Sequence, residues 1–279
     1  MPKGVSLHIG LNRVDPTHYN GWSGDLAGCE FDAQDMQRVA TSRGFEAKIL
    51  LTKDATAKHV IAGIEEAAKQ LEQGDIFFLT NSSHGGQVPD THHEEEDAKD
   101  ETWVLYDRQL VDDELFALWG KFKPGVRIIV LSDSCHSGSS TRDAVIDALV
   151  PVLNEHGVVD DDQPRIKNMP RDVEDATYEK NKALYDEIQD KNAAGDTVEP
   201  DASVLLISGC QDNQVSLDGS RNGLFTQTLL SVWKDGAYGG PYARFHKAIV
   251  KNMPPTQTPN LFKVGQPNSS FERQTPFTV

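Results

Sequence analysis

"RIIVLSDSCHSGSS", Arg127 to Ser140, runs a block of apolar residues straight into an acid, small hydroxyl residues, a cysteine, a histidine and a glycine. A short apolar run rich in β-branched residues and bounded by polar ones is how a strand buried on both faces reads. The same texture recurs along the chain: "GVSLHIGL" from Gly4, "EAKILL" from Glu46, "DIFFLT" from Asp75, "TWVLYD" from Thr102 and "SVLLISG" from Ser203. Between them lie helical patterns, from about Gly28 to Gly44, from Thr56 to Gln73 with Val60, Ile61, Ile64, Ala68 and Leu71 on one face, from Asp112 to about Lys121, through "LFTQTLLSVW", and from Pro241 to Asn252. Strands alternating with helices predict an α/β fold: a mostly parallel central sheet with helices on both faces. Such sheets carry their sites at the carboxyl ends of the strands.

The chain has 279 residues, enough for one large domain, and 38% of them are hydrophobic. A net charge of −16 repels phosphate backbones and anionic membrane surfaces, so neither nucleic acid nor membrane is expected as a partner. No apolar run is long enough to span a bilayer, and "MPKGVSLHIGLN" lacks the apolar centre of a signal peptide, so a cytoplasmic location is expected. Three widely spaced cysteines, Cys29, Cys135 and Cys210, fit neither a disulfide framework nor a zinc-type pair. From about 139 to 200 the texture turns acidic and polar, with helices expected around Arg142 to Glu155 and Asp172 to Asp190. The expectation is a single domain over 1–279 with a mobile insertion at about 139–200.

A nucleophilic cysteine needs a base that makes the thiolate and donors that hold the oxyanion formed on the attacked carbonyl. His84, in "FFLTNSSHGGQ", stands just past the end of one apolar run, as Cys135 stands just past the end of another. If those strands are neighbours, the two side chains meet at one sheet edge. His136, adjacent to Cys135, would point away in an extended segment. The backbone N–H groups of Gly85 and Cys135 are the candidates for the oxyanion hole. Cys29 and Cys210 have no comparable histidine partner.

"SSHGGQ" and "DSCHSG", whose His84 and Cys135 are 51 residues apart, resemble the histidine and cysteine motifs of metacaspases, the bacterial, plant and protist branch of the caspase-like cysteine peptidases. "LAGCEFDAQDM", "DETWVLYDRQLVDDEL", "ISGCQDNQVSLDG" and "NGLFTQTLL" extend the likeness over most of the chain, with the region from about 141 to 199 left out. The resemblance implies a caspase-like three-layer sandwich and a cysteine endopeptidase, expected to be monomeric, whose partners are polypeptides with Arg or Lys before the scissile bond. It assigns the pocket for that basic side chain to Cys29, Asp32, Ser82 and Asp133. A buried cation without a counter-charge is heavily penalised, which gives those carboxylates a physical reason.

The resemblance also implies an activating calcium ion held by Asp97, Asp100, Asp112 and Asp113, beside Glu94, Glu95 and Glu96, since hard oxygen ligands suit that ion. The acid expected beyond the cysteine is not clearly matched in "SGSSTRD", and Asp112 can equally cap the helix that follows it. No organic cofactor is expected. The competing reading is a catalytically silent caspase-like domain that binds or scaffolds partners. For a basic-specific enzyme, Arg142, Arg165, Lys167, Arg171, Lys180 and Lys182 are candidate points of self-cleavage in the insertion.

Overall fold

The structure, a computed structural model, describes residues 1–92, 98–134, 165–193, 199–211, 214 and 216–279. Its centre is a six-stranded sheet of β1 (Gly4–Gly10), β2 (Glu46–Leu51), β3 (Ile76–Ser82), β7 (Arg127–Asp133), β9 (Ser203–Ser208) and β11 (Asn260–Gly265), in the order β11-β9-β7-β3-β1-β2. All neighbours pair in parallel except β11, which runs antiparallel to β9 along one edge. The chain steps from β1 outward to β2 and then back to β3 on the other side of β1. That reversal between β1 and β3 is the topological switch point where α/β sheets open a crevice at their carboxyl ends.

The strands β1, β3 and β7 are buried along almost their whole length, which is why they read as unbroken apolar runs. Alternate side chains serve opposite faces. Phe78, Ile129, Leu131, Leu205 and Ile207 pack beneath α1 (Cys29–Ser42), α5 (Leu224–Trp233) and α6 (Tyr242–Lys251). Phe77, Leu79, Ile128, Val130 and Val204 pack against α2 (Ala57–Gln70) and α3 (Asp112–Trp119). The result is helices, sheet, helices: the expected three layers. Thr56 caps α2, its hydroxyl accepting from the His59 N–H at 3.2 Å.

Four observations correct or extend the sequence reading. "TWVLYD" does not join the central sheet; its first residues lie in β5 (Lys99–Val104), the middle strand of a small antiparallel sheet with β4 (Gly85–Pro89) and β6 (Gln109–Val111). The Pro-rich stretch "PPTQTPNLF", Pro254 to Phe262, leads into a further strand, β11. Asp112 does not cap α3, whose N-cap is Val111; the Glu114 carboxylate instead folds back to accept the Val111 N–H at 3.2 Å and is gripped by both terminal nitrogens of Arg108 at 2.7 and 2.8 Å. Within the expected insertion, β8 (Arg165–Ile166) pairs with β10 (Leu217–Asp218), and α4 (Arg171–Asn192) packs Tyr178, Tyr185 and Ile188 on Val88 and Val111. The helix expected around Arg142 to Glu155 lies outside the described residues. Among the described residues, no helix is long and apolar enough to cross a membrane.

One acid in this packing makes stability depend on pH. Glu174 of α4 is 3% exposed and accepts the Gln87 N–H of β4 at 3.2 Å. Burial, only partly opposed by Lys99 and that hydrogen bond, pushes its carboxyl up to about 7. A carboxyl raised in the folded state keeps a proton that the unfolded chain has lost. The associated stability is therefore present below about pH 4.5 and lost as pH rises through about 7, on the order of 3 kcal/mol in all. Glu174→Gln, which removes the charge and keeps the shape, is expected to raise the unfolding temperature at pH 8 while changing little at pH 5. Thermal unfolding followed at both pH values checks this.

Candidate active site

The parallel pairing of β3 with β7 runs in register as far as Ser82 opposite Asp133. His84 is two residues beyond the first of these and Cys135 two beyond the second. The neighbouring strands required to bring the histidine and the cysteine motif to one edge are therefore neighbours. Cys135 itself lies outside the described residues, which end there at Ser134.

His84 is 3% exposed and sits between β3 and β4. Its Nε2 lies 3.0 Å from the Gly24 carbonyl oxygen, and the Trp22 ring lies 4.7 Å from the imidazole, centroid to centroid. A carbonyl can only accept, so Nε2 carries the proton and Nδ1 of the neutral ring keeps the lone pair. That tautomer is the one a base needs if it acts through Nδ1. Gly24 was not singled out from the sequence; a backbone carbonyl leaves no side-chain signal.

The four residues assigned to a basic-residue pocket converge. Asp32 comes from the first turn of α1, Ser82 and Asp133 from the ends of β3 and β7, and Cys29 from the start of α1. All four are buried. Ser82 Oγ donates to Asp32 Oδ2 at 2.8 Å. Asp32 Oδ1 accepts from Asn222 Nδ2 at 2.9 Å and from the Gly223 N–H at 3.1 Å. Asp133 accepts from Ser216 Oγ at 2.6 Å and from Thr226 Oγ1 at 2.9 Å. A fifth wall, Asp218 of β10, accepts the N–H groups of Ala27 and Gly28 at 2.7 and 3.1 Å. Asp218 was not foreseen individually, although it stands within "ISGCQDNQVSLDG". Burial pushes the Asp218 carboxyl up, against the pull of Lys167. Burial also holds the Cys29 thiol well above its usual value, so Cys29 is an inert wall rather than a nucleophile.

The pocket contains a cation, and it belongs to the chain itself. Lys167 is fully buried, with its Nζ 3.0 Å from Asp32 Oδ2, 3.0 Å from Asp133 Oδ2, 2.9 Å from Ser82 Oγ and 4.0 Å from Asp218 Oδ1. Burial alone would pull its pKa down; Asp133, Asp32, Cys29 and Asp218 overcome this and hold the ammonium well above the ordinary lysine value. Gly223 makes room for the ammonium, because a Cβ at that position would collide with Lys167 Nζ and reach Asp133 Oδ2 at 2.7 Å, so a larger residue would have to displace them.

The backbone around Lys167 is equally constrained. Its N–H donates to the Ser216 carbonyl at 2.9 Å, and its carbonyl accepts the Gly85 N–H at 3.1 Å. Two residues on, the Met169 N–H donates to the Gly85 carbonyl at 2.8 Å. From β8 the chain thus bends at Lys167 and bridges Gly85 through Asn168, beside the histidine, with a basic side chain in an acidic pocket and its carbonyl on the N–H expected to form the oxyanion hole.

The acids expected to hold calcium are Asp97, Asp100, Asp112 and Asp113. Asp97 lies outside the described residues, Asp100 is in β5, and Asp112 and Asp113 open α3. Among the described residues there is no group of three or more His, Cys, Asp or Glu side chains arranged to hold a metal ion.

The family model for the caspase domain of peptidase family C14 matches residues 14–275. Among curated proteins, the chain is 28% identical over 246 residues to Metacaspase-1 of Mycosarcoma maydis, covering 80% of this chain and 60% of that protein. It is 30% identical over 252 residues to Metacaspase-1A of Aspergillus clavatus, covering 81% and 57%. It therefore spans somewhat over half the length of the curated relatives it matches. Among solved structures, protein GSU0716 from Geobacter sulfurreducens superposes with a TM-score of 0.86 at 52% identity, covering 100% of this chain and 99% of that one.

Proposed function

The chain belongs to the caspase-domain peptidase family, and on that premise we propose that it is a cysteine endopeptidase cleaving after lysine or arginine, with Cys135 as nucleophile and His84 as base. The observation that carries the reading is Lys167, whose ammonium is held by Asp32, Asp133 and Ser82 while its carbonyl meets the Gly85 N–H. Substrates then are polypeptides with a basic residue before the scissile bond. Three buried carboxylates around one cation leave a surplus of negative charge, which an aspartate side chain could not enter.

In this reading, His84 Nδ1 takes the proton of the Cys135 thiol, with Nε2–H anchored on the Gly24 carbonyl. The thiolate attacks the carbonyl carbon of the basic residue, and the Gly85 N–H stabilises the oxyanion. The C–N bond breaks as the imidazolium returns its proton to the leaving amine, giving a thioester. Water, deprotonated by His84, then attacks the thioester; the C–S bond breaks and the thiol is restored.

The segment in the pocket makes the first substrate the chain itself. Self-cleavage is expected between Lys167 and Asn168. Incubating the full chain and sequencing new N-termini should give a fragment beginning at Asn168 that is absent from Cys135→Ala. Cleavage confined to acidic residues, or a chain that stays intact and ignores every basic peptide offered, would overturn the reading.

A further inference from the structure

The lysine pocket accounts for the residue before the scissile bond, but the same segment is held just as closely on the other side of it. Met169 is fully buried among Val14, Tyr19 and Val104, with Trp22 and Val173 packed against the cluster. We infer that Val14, Tyr19, Trp22 and Val104 form a subsite for the second residue after the scissile bond, and that it selects a long, apolar, flexible side chain such as methionine or leucine. The inference rests on the reading of Lys167 as the residue before that bond.

The geometry fixes which residue enters. Gly85 receives the segment at two points, its N–H on the Lys167 carbonyl and its carbonyl on the Met169 N–H, at 3.1 and 2.8 Å. With the backbone clamped on both sides of Asn168, the residue after it has one place to put its side chain. The walls come from fixed parts of the fold. Val14 is held by its N–H on the Ser23 carbonyl at 2.9 Å. The Tyr19 hydroxyl is committed to the Leu105 carbonyl at 2.6 Å, so the ring presents its face and not a polar group. The Val104 N–H is committed to the His84 carbonyl at 3.0 Å.

The chemistry of the walls sets the preference. Aromatic rings and two valines suit a polarizable thioether or a leucine and offer no partner to a charge. Trp22 belongs to both places at once, since it packs in this cluster and its ring lies 4.7 Å from His84. A filled subsite therefore packs against a ring that also touches the imidazole, and its contribution should appear in turnover as well as in binding.

The experiment uses the full chain and internally quenched peptides containing Ile-Lys-Asn-X, with X as Met, Leu, Gly or Asp. The chain's own segment competes with every peptide, but a shared competitor scales all values of kcat/KM alike and leaves their ratios unchanged. Met and Leu are expected within a few-fold of each other, with Gly roughly 10-fold lower and Asp roughly 100-fold lower. A parallel reporter carries arginine joined directly to a fluorophore, with no residue after the bond. Cleavage of the reporter with a flat peptide series, or a series led by Asp, would overturn the subsite and leave the peptidase reading standing. Silence on reporter and peptides alike would remove both. In the chain itself, Met169→Leu should retain self-cleavage after Lys167 and Met169→Asp should slow it by a similar 100-fold; equal rates in the two would also overturn the subsite.

Discussion

Turnover of basic peptides by His84→Ala is expected to fall by at least about 10³-fold, with the fold intact. Cys135→Ala should fall at least as far, and the double variant no further than the worse single one, because a base without a nucleophile has nothing to activate. The two act as a unit. His84 follows the end of β3, whose pairing with β7 runs in register to Ser82 and Asp133, and its Nε2–H is spent on the Gly24 carbonyl. Losing the imidazole removes both the proton acceptor for the thiol and the proton donor for the leaving amine. It also leaves a buried cavity beside Trp22, which costs some stability, while Trp22 keeps its place against the Val14, Tyr19 and Val104 cluster. Steady-state kinetics on an arginine reporter, with unfolding followed in parallel, tests the claim; a His84→Ala protein with near-native turnover would exclude the dyad.

Much of this site could be read from the chain because its parts sit at the ends of strands that announce themselves. The strands β1, β3 and β7 are buried on both faces, so their sequences are nearly unbroken apolar runs, and the residues just beyond them had to be at the sheet's edge. His84 and Cys135 are legible for that reason, whereas Cys29, Asp32, Ser82 and Asp133 were marked as a pocket by the family resemblance. What was hidden depends on distant pairing. The edge strand β11, half-exposed and flanked by proline, has no such run. The strand β4 begins Gly-Gly, with little intrinsic tendency to extend, and exists because β5 pairs with it. Asp218 joins the pocket through a two-residue strand whose partner is β8, and no local pattern reveals so short a ladder. Lys167 was one of six basic residues open to self-cleavage; its distinction comes from the register of β8 on β10 and from Gly85.

Asp133→Asn is expected to cut kcat/KM for lysine and arginine substrates by 10²-fold or more, and Asp133→Ala by a further margin. Asp133 is 2% exposed and lies 3.0 Å from the only ammonium the described pocket holds. Its other oxygen accepts from Ser216 at 2.6 Å, so the carboxylate is aimed rather than merely present. Truncating one partner of a buried charge pair typically costs about 3–5 kcal/mol, which is a factor of roughly 10² to several times 10³. Asparagine keeps the shape and could still accept from the entering cation, so its deficit measures charge, whereas alanine also strands the hydroxyls of Ser216 and Thr226 that donate to the carboxylate. The same variants should slow self-cleavage after Lys167 and should not create activity toward aspartate, because Asp32 and Asp218 remain. Rates for Asp133→Asn on paired lysine, arginine and aspartate peptides decide the matter. Undiminished cleavage after lysine would mean that the lysine held in this pocket is a structural ion pair, and that substrates are recognised elsewhere.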